Sequence, residues 1–372
     1  MSTRVGGFIG VSTSATENSA SGIWDHDSQA YFKRQGDSFW PAGESFGPIA
    51  ATGGTITTPG NGYKYHFFTG TGPFHVVSGS GSIDVYMVAG GGGGSFPSIG
   101  AGAGAGGMRT VPAVAVSVKD YTVQCGAGGA GGTINDSPVG YSGNPSKITD
   151  PLGNILCQST GGGRGMVTGD DTSSVPPVYE QNGYTNGSGG SGGGGDYGPS
   201  AQQSAGAPGN AGGYSPPEGN PGGAGNGSGP RYGGGGGGGA GSPGGGPTVG
   251  GGTGGSGSYF NEPIINGLPQ YGTPGPNGAY RYFAGGGGGG SYGYPGAGDG
   301  ARDNAPDSGG GGRGMPHPGQ NPISPAPLKN GQANTGGGGG GHGWHPSAGP
   351  LPAPEAYAGN GGSGFVCIRY QI

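Results

Sequence analysis

Polar and apolar residues alternate with a period of two through the first part of the chain. Within Ile83–Val88, Ile83, Val85 and Met87 share one face of a strand and Asp84 and Tyr86 the other, which predicts a strand with one buried side. Further strands are predicted at Thr55–Thr58, Tyr63–Phe68 and Phe74–Val77. They are set apart by Pro59-Gly60-Asn61-Gly62, Thr71-Gly72-Pro73 and Gly79-Ser80-Gly81. Val114, Val116 and Val118, then Tyr121, Val123 and Cys125, continue the alternation across a bend at Lys119-Asp120. Ser146–Thr149 and Asn154–Gln158 flank Asp150-Pro151-Leu152-Gly153, a turn sequence with Pro second and Gly fourth. From residue 161 to 363 there is almost no strand or helix pattern, and no amphipathic helix is predicted anywhere. The strand pattern returns at Phe365–Ile372 (FVCIRYQI). A chain that leaves a β-domain and ends on a strand is expected to return to the same sheet, gripping both ends of the excursion.

Composition explains what fills that excursion. Glycine accounts for 107 of 372 residues. Long runs stand at Gly233–Gly239, Gly285–Gly290 and Gly336–Gly341, shorter ones at Gly90–Gly94, Gly161–Gly163, Gly192–Gly195 and Gly309–Gly312. Glycine loses the most backbone freedom on folding, so such runs order only under outside constraint. One ordered form is the extended left-handed helix with three residues per turn, which has no internal hydrogen bonds. Its N–H and C=O groups must pair with neighbouring rods, and the missing Cβ lets those rods come close. The other readings are a flexible linker or a low-complexity tail. The long runs start 52 and 51 residues apart, each followed by a connector rich in Pro, Asn and Tyr, which reads as rods joined by displayed loops.

Only 29% of the chain is apolar and 9% charged, so a side-chain core must come from roughly the first 160 residues plus the C-terminus. The net charge is −5, and 14 Lys and Arg spread thinly form no basic patch, so no nucleic-acid partner is expected. Met1–Ala20 has no continuous apolar stretch of the signal-peptide kind, and no window reaches the length of a membrane span. Three cysteines, Cys125, Cys157 and Cys367, cannot all pair and read as buried free thiols.

Catalytic motifs are missing. None of Lys33, Lys64, Lys119, Lys147 or Lys329 follows a glycine, so there is no Walker A loop, and chance G-x-G-x-x-G matches in such a chain carry no weight. No G-x-S-x-G elbow sits in a strand–turn–helix context. His342 and His345 flank Trp344, Asp25-His26-Asp27 is a local cluster, and Asp170-Asp171, Asp299, Asp303 and Asp307 are scattered. None has metal-site spacing, so neither metal nor cofactor is expected.

The order strand, glycine block, strand, glycine block, terminal strand resembles the glycine-rich domain found in bacteriophage tail and appendage proteins. It is carried by Phe68–Val76 (FTGTGPFHV), Ile83–Gly94 (IDVYMVAGGGGG), Tyr121–Gly132 (YTVQCGAGGAGG) and Ser363–Tyr370 (SGFVCIRY). The resemblance covers about residues 52–372 and implies a small β-sandwich fused to packed polyglycine helices. In the similar distal adhesins of T-even-type fibres, loops between such helices touch the host receptor. This chain departs from them in its larger β-portion and its different N-terminal segment.

The expected architecture is therefore all-β: a small antiparallel sandwich of jelly-roll or TNF-like type over residues 51–160, completed by a strand at 364–372. Residues 161–363 form the insert of polyglycine helices and loops. Residues 1–50 are expected to attach the protein to other tail proteins through Trp24, Tyr31, Phe32, Phe39 and Trp40. The expected function is that of a non-enzymatic virion component, made in the host cytoplasm, in a tail fibre or tail tip. Its host contact, to a surface glycan or outer-membrane protein, falls to Tyr280, Tyr282, Phe283, Tyr292, Tyr294, Trp344 and His345. Rigid amphipathic aromatics on glycine-rich loops suit such contact, while Tyr184, Tyr197, Tyr232, Tyr271, Tyr282, Tyr292 and Tyr294 could instead pack over the rods and shield them from water. A homo-oligomer, guessed to be a trimer, is expected from the habits of fibres. The alternatives are an ice-binding protein and an extracellular structural glycine-rich protein.

Overall fold

A computed structural model describes residues 48–96, 99–133, 139–167, 187–196, 205–226, 232–247, 250–275, 278–292, 309–315, 329–343 and 357–372. Nearly all of the expected attachment segment, with Trp24, Tyr31, Phe32, Phe39 and Trp40, lies outside the described residues, as do Tyr294, Trp344 and His345.

The sandwich is built from strands β1 (Ala50–Thr52), β2 (Thr55–Thr57), β3 (Tyr63–Phe68), β4 (Gly72–Ser78), β5 (Gly81–Val88), β6 (Met108–Val116), β7 (Lys119–Gln124), β8 (Ser146–Thr149) and β9 (Ile155–Ser159). Later come β10 (Tyr232–Gly233), β11 (Ser258–Tyr259), a one-turn helix α1 (Pro263–Asn266), β12 (Thr273–Pro274), β13 (Arg281–Phe283), β14 (Ser291–Tyr292) and β15 (Phe365–Gln371). One sheet has the order β1-β4-β7-β8-β9, the other β2-β3-β15-β5-β6, and every pairing is antiparallel. The returning strand thus joins the centre of a sheet, with Ile368 opposite His66 on one side and Val85 on the other.

Both sheets contribute to one apolar core. Phe74, Val76, Tyr121, Val123 and Ile148 come from the first, and Ile83, Val85, Met87, Val366, Ile368 and Tyr370 from the second. The Asp150 turn closes as its sequence requires: Gly153 N–H donates to Asp150 O at 3.0 Å, and Gly153 sits at φ +86°, which favours glycine. The β5–β6 register shifts between Ile83 and Val85. There Ala113, at φ 55°, lies in the bulged strand and its N–H donates to Asp84 Oδ1.

The sandwich core also buries an imidazole. His66 Nδ1 stands 2.7 Å from Gly53 O and Nε2 3.2 Å from Tyr370 Oη, which itself accepts from Ala51 N–H. Burial pushes the His66 pKa down, the nearby Lys64 charge adds to this, and the bond to Gly53 opposes it. The unfolded chain takes up the proton near the ordinary value of about 6.5, while the folded one resists it. Stability is therefore full above that pH and declines as pH falls below it. The urea midpoint is expected to be lower at pH 5 than at pH 7.5, with the difference reduced in His66→Gln; equal slopes in both proteins would refute this.

The expectation of one buried side for β5 is corrected by a third layer. Tyr86 and Val88, on the face opposite Ile83, pack with Tyr65, Phe67, Phe365 and Cys367 against Phe260, Ile265, Tyr271 and Phe283. These partners come from residues 258–284, where β11, β13 and β12 form a three-stranded sheet beside α1. A folded unit therefore stands inside the stretch that carries no pattern in the sequence. Its elements are two to four residues long, too short for any period to show.

Around these layers the glycine segments form a lattice. In residues 90–95 the acceptor of each N–H repeats every third residue: Gly90 to Asn144 and Gly93 to Tyr141, Gly91 to Gly362 and Gly94 to Gly359, Gly92 to Gly104 and Ser95 to Ala101. All three of these neighbours run antiparallel. The carbonyls accept in the same rhythm from three parallel neighbours: Gly90 from Gly162 and Gly93 from Gly165, Gly91 from Gly129 and Gly94 from Gly132, Gly92 from Gly339 and Ser95 from His342. None of Gly90–Gly94 adopts a positive φ, consistent with the left-handed three-fold helix. Residues 100–107 sit in an equivalent place, bonded to 336–342, 235–238, 160–163, 92–95, 191–194 and 287–290. The lattice thus begins well before residue 160, and its innermost rods are the β5–β6 connection.

Candidate functional site

A buried carboxylate, Glu262, and a half-buried one, Asp84, organise the surface where the 258–284 unit meets the sandwich. Glu262 is 1% exposed. It pairs with Arg369 Nη1 of β15 and accepts from Tyr65 Oη and Tyr86 Oη, each at 3.1 Å. Arg369 also holds Asp84 Oδ2 through Nε at 3.1 Å and Nη2 at 3.0 Å. Its guanidinium carbon lies 4.6 Å from the Tyr63 ring centroid. Burial, reinforced by the Glu262 charge, pushes the Tyr86 hydroxyl far above its ordinary pKa. The groups of the cluster satisfy one another's hydrogen bonds. Its geometry is that of a clamp holding the third layer to the sheet.

Above the clamp the 258–284 unit carries tyrosines outward. Asn266 binds Phe260 O through Nδ2 and accepts from Arg281 N–H, while Arg281 Nε donates to Tyr271 O at 2.7 Å. These bonds fix β13 against β11, where Ser258 pairs with Phe283 and Tyr259 with Tyr282. Tyr259 and Tyr280 stack with centroids 4.2 Å apart, and Tyr259 meets Tyr282 at 5.4 Å. Tyr259 and Tyr280 remain 39% and 41% exposed.

Beside Tyr259 opens a cleft of about 370 Å³ between the 258–261 segment, the start of β6 and residues 215–218. Its lining includes Arg109, Ser215, Pro216, Glu218, Tyr259 and Asn261. Arg109 lies 3.5 Å from the Tyr214 ring centroid and donates to Gln158 O. Glu218 is 1% exposed, and its Oε2 accepts from Thr160 N–H at 2.9 Å. Burial raises the Glu218 pKa, against the opposing bonds from Thr160 and the Arg109 charge.

The residues assigned to receptor contact in the sequence divide accordingly. Tyr280 and Tyr282 come together in one cluster, Tyr280 exposed and Tyr282 half-buried. Phe283 is fully buried and packs on Phe260 and Phe365, so its expected contact role is corrected: alternation along β13 turns it into the core. Tyr292 pairs with Tyr232 across β14 and β10, in a different sheet. Tyr271 is a core residue of the third layer, packed on Phe67 and Phe365 of the sandwich sheet rather than over the glycine rods. Sequence reasoning missed Tyr259, Arg109 and Glu218. Tyr259 had a findable signal in Tyr259-Phe260, an aromatic pair inside a glycine stretch; Glu218 had none. His342 is buried and packs on Phe96 at 4.5 Å. Among the described residues, no group of three or more His, Cys, Asp or Glu side chains could hold a metal ion. Cys125, Cys157 and Cys367 are free and buried, and burial pushes the first two thiols up to about 12, leaving them without thiolate character at neutral pH.

Fold and site together define an all-β protein in which a sandwich and a lattice of glycine rods share strands and connections. The chain belongs to the glycine-rich domain family, whose profile matches residues 67–371. Compared with curated proteins, it matches none.

Proposed function

We propose that this protein is a structural component of a tailed-phage appendage, a tail fibre or tail tip, that touches the host surface through its exposed aromatics. The observation that carries the reading is the Tyr259–Tyr280–Tyr282 cluster, held by the Asn266 and Arg281 hydrogen bonds on a unit packed against the sandwich sheet. Such a mounting presents contact surface at low entropic cost, because neither the side chains nor the backbone beneath them have far to move. Weak single contacts of this kind gain strength when copies act together on one particle. The resemblance of Phe68–Val76 and Ile83–Gly94 to appendage proteins supports the same reading. The role is a binding one, without catalysis or cofactor, with residues 1–50 as the attachment to the neighbouring tail protein.

Gold-labelled antibody against the purified chain tests the location. Labelling is expected at the tail tip or fibres of intact particles, and label confined to lysate debris would overturn the proposal. Pre-incubating host cells with the purified protein is expected to slow particle adsorption at least severalfold, and Tyr280→Ala is expected to lose most of that competition.

A further inference from the structure

Tyr259 and Tyr280 stand in a geometry that contact with a partner does not require. Their rings stack on one another, with centroids 4.2 Å apart and planes inclined by 27°. Backbone bonds set this pairing: β11 and β13 place Tyr259 opposite Tyr282, and Tyr280, two residues earlier, joins the same side through a hairpin in which Gly275 N–H donates to Tyr280 O at 3.0 Å. Both rings are also open to solvent, at 39% and 41%. Adjacent tyrosines in a core are out of reach of an oxidant, and exposed ones standing apart have no neighbour to react with; here the two conditions are met together. Much of the sulfur that would compete for an oxidant is shut away, since Cys125, Cys157, Cys367, Met87 and Met315 are all buried.

We propose that Tyr259 and Tyr280 form a dityrosine site, coupled by a one-electron oxidant of the haem-peroxidase class through a carbon–carbon bond between ring positions ortho to the two hydroxyls. Each phenol gives up one electron and one proton and becomes a phenoxyl radical. The two radicals join at ortho carbons, and each joined carbon then loses its proton while its own oxygen gains one, which restores both phenols. With hydrogen peroxide as the terminal acceptor, one peroxide takes the two electrons and two protons and leaves as two waters. Coupling within the pair outruns coupling between molecules, because the rings are already in contact and need no diffusional encounter. The product ties β11 to the turn that enters β13 and closes a loop containing α1 and β12. Such a link stabilises the fold by restricting the unfolded chain. The inference stands apart from the appendage reading, since it needs only the ring geometry.

The test treats the purified full chain, kept dilute, with a haem peroxidase and limiting hydrogen peroxide. The product is denatured and digested with chymotrypsin, which cuts after Phe260 and Tyr271 and so parts the two tyrosines. Dityrosine fluorescence is expected in a chain that still runs as a monomer, together with a joined peptide pair that carries residues 259 and 280 and has lost two hydrogens. Tyr259→Phe and Tyr280→Phe, which keep a ring in the stack, are each expected to lower dityrosine within the chain at least tenfold. Tyr282→Phe is expected to keep at least half of it, because that ring lies farther from Tyr259, at 5.4 Å. The linked chain is expected to unfold at a higher urea concentration than the untreated one. Absence of the joined peptide would overturn the inference, as would dityrosine that survives both Tyr259→Phe and Tyr280→Phe or forms only between chains. A link that leaves the urea midpoint unchanged would overturn its stapling role. None of these results bears on gold labelling, by which the appendage reading is tested.

Discussion

Gly92→Ala is expected to destabilise the protein by at least about 3 kcal/mol, the upper end of what overpacking a well-filled interior costs. A Cβ at residue 92 would fall well inside 3.0 Å of the Gly163 carbonyl oxygen, which is backbone and held in the lattice by its own bond from Gly104 N–H. Moving it aside disturbs three rods at once, because Gly92 donates to Gly104 and accepts from Gly339. Gly70→Ala is the matched control: nothing lies within 4 Å of its would-be Cβ, and it has no positive φ. That substitution is expected to stay within about 0.5 kcal/mol of wild type. Urea unfolding and amide exchange at Gly104, Gly163 and Gly339 read both variants. Equal stability of the two would mean that the rods are not packed as described.

Glu262→Ala is expected to cost about 3–5 kcal/mol, the range for removing one partner of a buried ion pair. The loss strips Arg369 of one carboxylate and leaves the hydroxyls of Tyr65 and Tyr86 without their acceptor. Because Glu262 also accepts from Ile264 N–H at the start of α1, the damage should centre on residues 258–284. Amide exchange is expected to accelerate there first, with the core between the two sandwich sheets still protected. Adding Arg369→Met is expected to cost less than Arg369→Met alone, since with Glu262 gone only the Asp84 pair is left for that change to break. A double variant as unstable as the sum of the singles would show that the two side chains do not act together.

How much of this was legible depends on element length. The longer strands of the sandwich announced themselves because four to nine residues leave a pattern to see, whereas β1, three residues long, went unpredicted; β3 lies where its pattern placed it, and β15 returns to the sheet of β5 as expected. Met108–Arg109 was hidden, since the strand continues out of a glycine rod without any alternation. The rods were readable in kind from their composition, but not their neighbours: a glycine run has no side chains to specify which of six faces meets which partner. Phe283 and Tyr280 looked alike in sequence, both aromatics beside glycine, and are separated only by the pleat of β13 and the layer beneath it. Glu262 and Glu218 gave no signal, because a carboxylate in a Pro- and Gly-rich stretch reads as solvated until the surrounding chain is folded over it.

The position of β15 between β3 and β5 governs how the molecule must be made. Those two strands have no contact with each other across the gap until a segment some 280 residues further along arrives. At translation speeds of ~5–20 residues per second, that interval is roughly 15–55 s. Throughout it, the nascent chain carries two open sheet edges and rods lacking their 357–364 neighbour. Assembly in the cell therefore calls for something that keeps such edges apart, and a truncation that removes only the closing strand should yield aggregate rather than a smaller folded protein.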